Sequence, residues 1–266
     1  MTTALDRINA YKREEIARLK QERSSQSFLR DIDTMPAARG FVEKMNSTAQ
    51  GGRNALICEI KRKSPSAGDI LMGADPVEVA KDYERGGASC LSILTDTPSF
   101  GGSLEDLKTV RAAVTLPILR KDFMLDPIQI LEARANDADC ILIIMASMDD
   151  ANAKDLYETA TGVGLDALIE VHDEVELERA RRLGGSFIGV NNRNLKTMTT
   201  DLNVSQVLAT SSEQNNSMVS ESGVKTSDDI RFLRRSGYRR FLIGESLMKE
   251  TERELAVKTL VYTTDN

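Results

Sequence analysis

The 266-residue chain contains no tryptophan, one histidine and three cysteines. The single histidine, His172, cannot by itself build a zinc or iron site. Cys58, Cys90 and Cys140 are far apart, lack C-x-x-C spacing and each sit in an apolar run. They are therefore expected to be buried, reduced thiols rather than a disulfide framework or a metal knuckle. No apolar run approaches the roughly 20 residues of a spanning helix. The first twenty residues carry charges throughout, so no signal peptide is expected. A G-x-G-x-x-G fingerprint is missing, which removes the usual mark of a dinucleotide site. Excess positive charge is lacking too. With 35 Lys+Arg against 41 Asp+Glu the chain carries a net charge of −6, which argues against duplex nucleic acid as a partner. The one basic cluster, Arg231, Arg234, Arg235, Arg239 and Arg240, is expected to be a solvated helix face and its trailing loop.

What is present is a rhythm. With 41% hydrophobic and 29% charged residues the composition is that of an ordered domain. From Leu5 to Gly52 the pattern is helical and amphipathic, interrupted at Pro36 and closed by Gly51-Gly52. Short apolar runs then alternate with helical stretches, at 55–60, 90–94, 116–119, 140–145, 167–171, 187–190, 218–220 and 241–243. Helix starts are written in Asp75-Pro76, Asp126-Pro127 and Thr226, and helix ends in Gly86-Gly87, Gly184-Gly185 and Gly237. Eight strand–helix units in this length predict a single (β/α)8 TIM barrel over 53–266 with a helical N-terminal extension over 1–52. An open doubly wound sheet is the runner-up.

In such a barrel the chemistry sits at the C-terminal ends of the strands, and side chains alternate with period two. That parity aligns Ile57, Glu59 and Lys61 in the first strand, and Leu119, Lys121 and Phe123 in the third. It aligns Leu168, Glu170 and His172 in the fifth, Gly189, Asn191 and Arg193 in the sixth, and Val219 and Glu221 in the seventh. Charges of both signs then converge in a funnel walled by Phe123, Leu142 and Ile144, which suits acid–base chemistry. After the seventh and eighth strands, Ser220-Glu221-Ser222-Gly223 and Ile243-Gly244-Glu245-Ser246 place glycines where a barrel binds phosphate. A phosphorylated substrate follows.

The motif Glu59-Ile60-Lys61-Arg62-Lys63-Ser64-Pro65-Ser66 is similar to the first strand and following loop of the indole-3-glycerol phosphate synthase family, which closes a ring in tryptophan biosynthesis. Ile118-Leu119-Arg120-Lys121-Asp122-Phe123 resembles its third strand. Ile169-Glu170-Val171-His172, Ile188-Gly189-Val190-Asn191-Asn192-Arg193-Asn194-Leu195 and Ser220-Glu221-Ser222-Gly223 follow in the family's order, and the resemblance includes its helical extension.

The resemblance implies that 1-(2-carboxyphenylamino)-1-deoxyribulose 5-phosphate loses carbon dioxide and water to give indole-3-glycerol phosphate, without cofactor or metal. It implies Lys121 as general acid at the ketone oxygen and Glu170 as base in dehydration. Glu59 and Lys61 orient and assist, with Lys61 near either the phosphate or the leaving hydroxyl. Asn191 and Arg193 meet substrate oxygens, Ser64 helps from the first loop, and Glu221 and Ser222 contact the sugar chain. Phe123, Leu142, Ile144, Leu195 and Leu242 contact the remainder of the substrate. Gly223, Gly244 and Glu245, with Lys61, line the phosphate site. Glu245 fits there only if its N–H binds and its carboxylate points away. Residue identity leaves open which lysine gives which proton, and whether neighbours raise or lower the Lys121 pKa.

The loop 63–69, with Ser-Pro-Ser-Ala-Gly, is expected to be mobile and to act as a lid. A cytoplasmic monomer is expected, with docking to other enzymes of tryptophan synthesis left open. Two rivals remain: a related phosphate-binding barrel isomerase, which would commonly use a carboxylate pair rather than Lys61 and Lys121, and a non-catalytic phosphosugar-binding barrel.

Overall fold

A computed structural model describes residues 4–210 and 217–265. Eight parallel strands close into a barrel: β1 (Ala55–Ile60), β2 (Cys90–Leu94), β3 (Ile118–Lys121), β4 (Cys140–Ile144), β5 (Asp166–Val171), β6 (Ile188–Asn191), β7 (Val219–Glu221) and β8 (Arg240–Ile243). Each strand pairs with its neighbours in sequence, and β8 closes the ring on β1 through Ala55 opposite Arg240. Helices follow the strands and cover the outside, so the strands are buried on both faces.

Period two divides the core. Ile57, Leu119, Leu142, Ile144, Leu168, Val219 and Leu242 fill the barrel interior with Cys90 and Cys140. Leu56, Cys58, Ile60, Ile93, Ile143, Ile169 and Phe241 face the helices. All three cysteines are buried and unbridged. Helix starts also lie where the sequence puts them. The Asp75 carboxylate accepts the Val77 N–H, while Asp126 with Gln129 and Thr226 with Asp229 form capping boxes. Each such cap is worth about 1 kcal/mol. Gly87, Gly184 and Gly237 hold φ values of 91°, 85° and 93° after three of the helices, a region a side chain enters only with strain.

The N-terminal segment forms three helices: α1 (Ala4–Glu22), α2 (Ser25–Ile32) and α3 (Phe41–Gln50). Pro36 lies in one break, as expected; a second falls at Ser24, whose hydroxyl caps α2 by accepting the Ser27 N–H. The α3 helix plugs the bottom of the barrel. Phe41 and Met45 are buried in the interior core, with the Phe41 ring edge-on to Phe187. Asp139 and Asp166, at the starts of β4 and β5, accept the backbone N–H groups of Arg39 and Val42. At the other end α1 crosses the mouth of the barrel, and α2 packs Phe28 against Ile128 and Leu131.

Two expectations are corrected. The third strand begins at Ile118, not Leu116, and continues through Lys121. Pro117 has no N–H to give to a ladder, so pairing starts after it. The basic cluster is only in part a solvated face: Arg235 is exposed and Arg231 and Arg239 are half-buried, but Arg234 and Arg240 are buried. Arg234 binds the Asp265 carboxylate and Asn54 Oδ1, tying the C-terminal segment to the barrel, and Arg240 donates to Asn46 on α3. The loop after β1 forms a short hairpin. Lys63–Ser64 pairs with Gly68–Asp69, and the Arg62 guanidinium holds both Asp106 carboxylate oxygens at 2.7 and 2.8 Å.

Candidate active site

A cavity of about 580 Å³ opens at the C-terminal ends of the strands. Every site residue expected from the sequence lines it: Glu59, Lys61, Ser64, Lys121, Phe123, Leu142, Ile144, Glu170, Asn191, Arg193, Leu195, Glu221, Ser222, Gly223, Leu242, Gly244 and Glu245. The wall is half apolar. Phe123, Leu142, Ile144 and Leu242 make a slot suited to an aromatic ring, extended by Phe100, whose ring centroid is 6.0 Å from that of Phe123.

Lys121 closes β3 with its ammonium among carboxylates, 3.1 Å from Glu221 Oε2 and 3.5 Å from Glu170 Oε2. Burial disfavours its charge, but Glu221, Glu170 and Glu59 outweigh burial and hold the ammonium above the usual lysine range. The neighbouring carboxylates thus favour the charged form of Lys121. Glu170, at the end of β5, is buried, which favours the neutral acid. Lys121, His172 and a hydrogen bond from Asn191 prevail and keep it ionised. Glu59 is likewise drawn below the carboxylate range, against burial, by Lys61 at 2.5 Å and by Lys121.

Glu221 differs. Burial and the charges of Glu170 and Glu59 push it up to about 7, against the pull of Lys121. Its Oε1 is buried without a hydrogen-bond partner. A Cβ on Gly189 would lie 1.9 Å from that oxygen, so the glycine makes room for the carboxylate. Parity placed Gly189 on this face but gave no sign of that role.

The loops after β7 and β8, expected from the sequence to bind phosphate, meet on one side of the cavity. Ser222 and Gly223 both have positive φ, and a Cβ on Gly244 would lie 2.4 Å from Glu59 Oε1. Their backbone is thus bare toward the cavity. The Glu245 carboxylate turns back along its own helix to Lys249 Nζ at 2.6 Å, which leaves its N–H free of its own charge. Arg193 gives one N–H to Met198 O at 3.2 Å, and Asn191 Oδ1 accepts the Arg193 N–H at 3.0 Å. Asn192, read only as part of a motif, binds Ser220, Glu221 O, Ser222 O and Ser205, joining the sixth and seventh loops.

A model of the indole-3-glycerol phosphate synthase family matches residues 5–260. The chain belongs to that family. It is 58% identical over 254 residues to the indole-3-glycerol phosphate synthase of Hyphomonas neptunium, covering 94% of both chains. It is 45% identical over 262 residues to that of Rhodospirillum rubrum and 44% identical over 261 residues to that of Azospirillum brasilense, in each case over 98% of this chain and 100% of the relative. A solved structure, the thiamine phosphate pyrophosphorylase of Pyrococcus furiosus, shares the fold alone, with a TM-score of 0.57 at 16% identity over 78% of this chain and 93% of that one.

Against the family's strand-end residues, the structure adds two parts of the site that sequence reading missed and places His172, which parity aligned with Glu170, differently. Ala4, Leu5 and Ile8 of α1 reach the cavity. Phe100 comes from the short helix after β2. His172 stands behind Glu170, 3.4 Å from its Oε1, off the cavity wall. Among the described residues, no group of three or more His, Cys, Asp or Glu side chains is arranged to hold a metal ion.

Proposed function

We propose that the strand-end charges of this chain divide the steps of the synthase reaction among themselves. The chain is a decarboxylating lyase: it converts 1-(2-carboxyphenylamino)-1-deoxyribulose 5-phosphate to indole-3-glycerol phosphate in tryptophan biosynthesis. The observation that carries the assignment is one ammonium, Lys121, within 3.5 Å of two carboxylates in a cavity with an apolar slot on one side and bare glycine backbone on the other.

In the first step the aryl carbon attacks the ketone. Lys121 stabilises the developing oxyanion and delivers its proton there. Even an ammonium held above its usual range is far more acidic than an alcohol, so the transfer runs downhill. The anthranilate carboxylate then leaves as carbon dioxide, returning its bonding pair to the ring. Arg193, with Asn191 beside it, suits that carboxylate until it leaves, because a planar guanidinium matches it with two N–H groups. In the last step the hydroxyl departs as water with a proton from a lysine, while ionised Glu170 removes the proton that completes the indole. Glu59 holds Lys61 at 2.5 Å, between the leaving hydroxyl and the phosphate loops. Glu221 and Ser222 meet the sugar hydroxyls, Ser64 closes from the first loop, and the backbones of Gly223, Gly244 and Glu245 take the phosphate. The hairpin 63–69 acts as a lid over these groups.

We further propose that the protein works as a cytoplasmic monomer on this phosphorylated small molecule, with no nucleic acid partner. Among the described residues no helix is long and apolar enough to cross a membrane.

Indole formation from the carboxyphenylamino-deoxyribulose phosphate tests these roles. The chain has no tryptophan, so the indole signal belongs to product alone. Turnover that collapses in Lys121→Ala and Glu170→Gln supports both assignments. Saturable binding without indole formation supports the non-catalytic barrel instead, and interconversion of an aminoaldose phosphate supports the isomerase.

A further inference from the structure

His172 is the chain's one histidine, and nothing in the reaction just described uses it. It follows β5 directly, and its ring is packed between two carboxylates. Nδ1 lies 3.0 Å from Glu176 Oε2, and the same oxygen accepts the His172 backbone N–H at 2.9 Å. Nε2 lies 3.4 Å from Glu170 Oε1 and, although buried, has no hydrogen-bond partner. The other Glu170 oxygen faces Lys121 at 3.5 Å. Glu176 is itself held by its helix, where the Asp173 cap accepts its N–H at 2.9 Å. The ring is absent from the cavity wall, so it does not touch substrate.

We infer that His172, backed by Glu176, is a positioning residue for Glu170: its imidazolium gives Nδ1–H to Glu176 and keeps its otherwise unpartnered Nε2–H end 3.4 Å from Glu170 Oε1, which biases the carboxylate rotation by charge and leaves Oε2 to the substrate. The terminal torsion of a glutamate is broad, so an unbraced carboxylate samples many rotations. Pinning one oxygen selects among them, and small misplacements of a catalytic group cost large factors in rate. This rests on the reading of Glu170 as the base.

The charged groups bearing on the ring come from several elements: Glu170 on β5, Glu176 on helix Glu174–Arg182, and Glu221 on β7, with Lys121 of β3 on the far side of Glu170. Burial opposes the imidazolium charge, but the carboxylates prevail and keep it protonated above the ordinary histidine range. On deprotonation Nδ1–H stays with Glu176. The Nε2 lone pair then faces Glu170 Oε1, and the brace becomes a repulsion.

The test is the pH profile of kcat together with nitrogen NMR of the single imidazole. The wild-type kcat is expected to fall on the alkaline side at the pH where the imidazole resonances titrate. His172→Gln places a non-titrating amide donor near Nε2, so it retains turnover and loses that limb. Glu176→Gln moves the limb to lower pH, and His172→Ala lowers kcat about tenfold with KM within about twofold. A His172→Gln profile that coincides with the wild type overturns the inference, as does an imidazole that titrates away from the limb. Because Glu221 also titrates near 7, the assigned imidazole resonances separate the two groups. Undiminished turnover in Glu170→Gln would instead overturn the reading of the base.

Discussion

Lys12 and Lys121 invite comparison, because each is a lysine held among carboxylates at the mouth of the same barrel. Lys12, on α1, lies 2.9 Å from Asp96, 2.8 Å from Asp122 and 2.9 Å from Glu15. In both cases burial disfavours the charge and the carboxylates win, so both ammoniums are held above the usual range. Their surroundings differ in completeness. Around Lys12, Asp96 also accepts from Tyr11 and the Ser99 N–H, and Asp122 from Thr95, Arg120 and the Phe123 N–H. Around Lys121, Glu221 Oε1 has no hydrogen-bond partner, and that carboxylate is pushed up to about 7. A fully satisfied buried network rigidifies, whereas one left short of partners stays poised for a ligand. The first network fastens the N-terminal extension to the segments that follow β2 and β3, through Asp96 and Asp122; the second is the one proposed to meet the substrate.

The same substitution at both lysines is the sharpest way to break the comparison. Lys121→Met is expected to lower turnover by about a thousandfold or more, because a cation and a proton donor leave the reacting carbonyl. Its unfolding free energy should change little, since its carboxylates border the cavity and Glu221 can take up a proton. Lys12→Met should do the reverse in kind. It leaves Asp96 and Asp122 buried without their cation and costs about 3–5 kcal/mol by denaturant unfolding. Equal stability of Lys12→Met and wild type would remove the distinction.

Glu221→Gln sharpens the comparison through pH. The folded protein binds the Glu221 proton more tightly than the unfolded chain, with a pKa of about 7 against 4.5. Wild-type stability contributed by this group is therefore present at acid pH and lost as pH rises from about 4.5 through 7. Melting curves of the two proteins should agree near pH 4.5, diverge between about pH 4.5 and 7, and stay apart by a constant margin above that. There the glutamine variant is the more stable, by at most about 3.4 kcal/mol. The smallest effect is expected outside both networks. Cys58, Cys90 and Cys140 are buried and their thiols are pushed up, so a thiol reagent should leave the native protein untouched and label all three only after unfolding.

The barrel and most of its mouth were legible because both follow local rules. Alternation with period two, together with the rule that barrel chemistry sits at strand ends, brings Glu59, Lys121, Glu170, Asn191 and Glu221 to one cavity without any knowledge of packing. Pro117 was misread by treating an apolar run as a strand without asking which residue could donate to the ladder. Arg234 and Arg240 were misread because charge says nothing about whether Asp265 or Asn46 waits across the fold. The reach of Ala4, Leu5 and Ile8 into the cavity was invisible too: an amphipathic helix shows which stripe is buried, not what it is buried against.

The order of strands and helices, their caps and the residue types at the mouth follow from the chain's local pattern, since these depend on neighbours a few positions apart. Which charge meets which follows only from the folded chain. Lys121 finds Glu221 100 positions along the chain, and Tyr11 finds Asp96 at 85. Protonation states followed from those meetings, because a buried group's pKa is set by the charges within a few ångströms and by how much water its partners leave it.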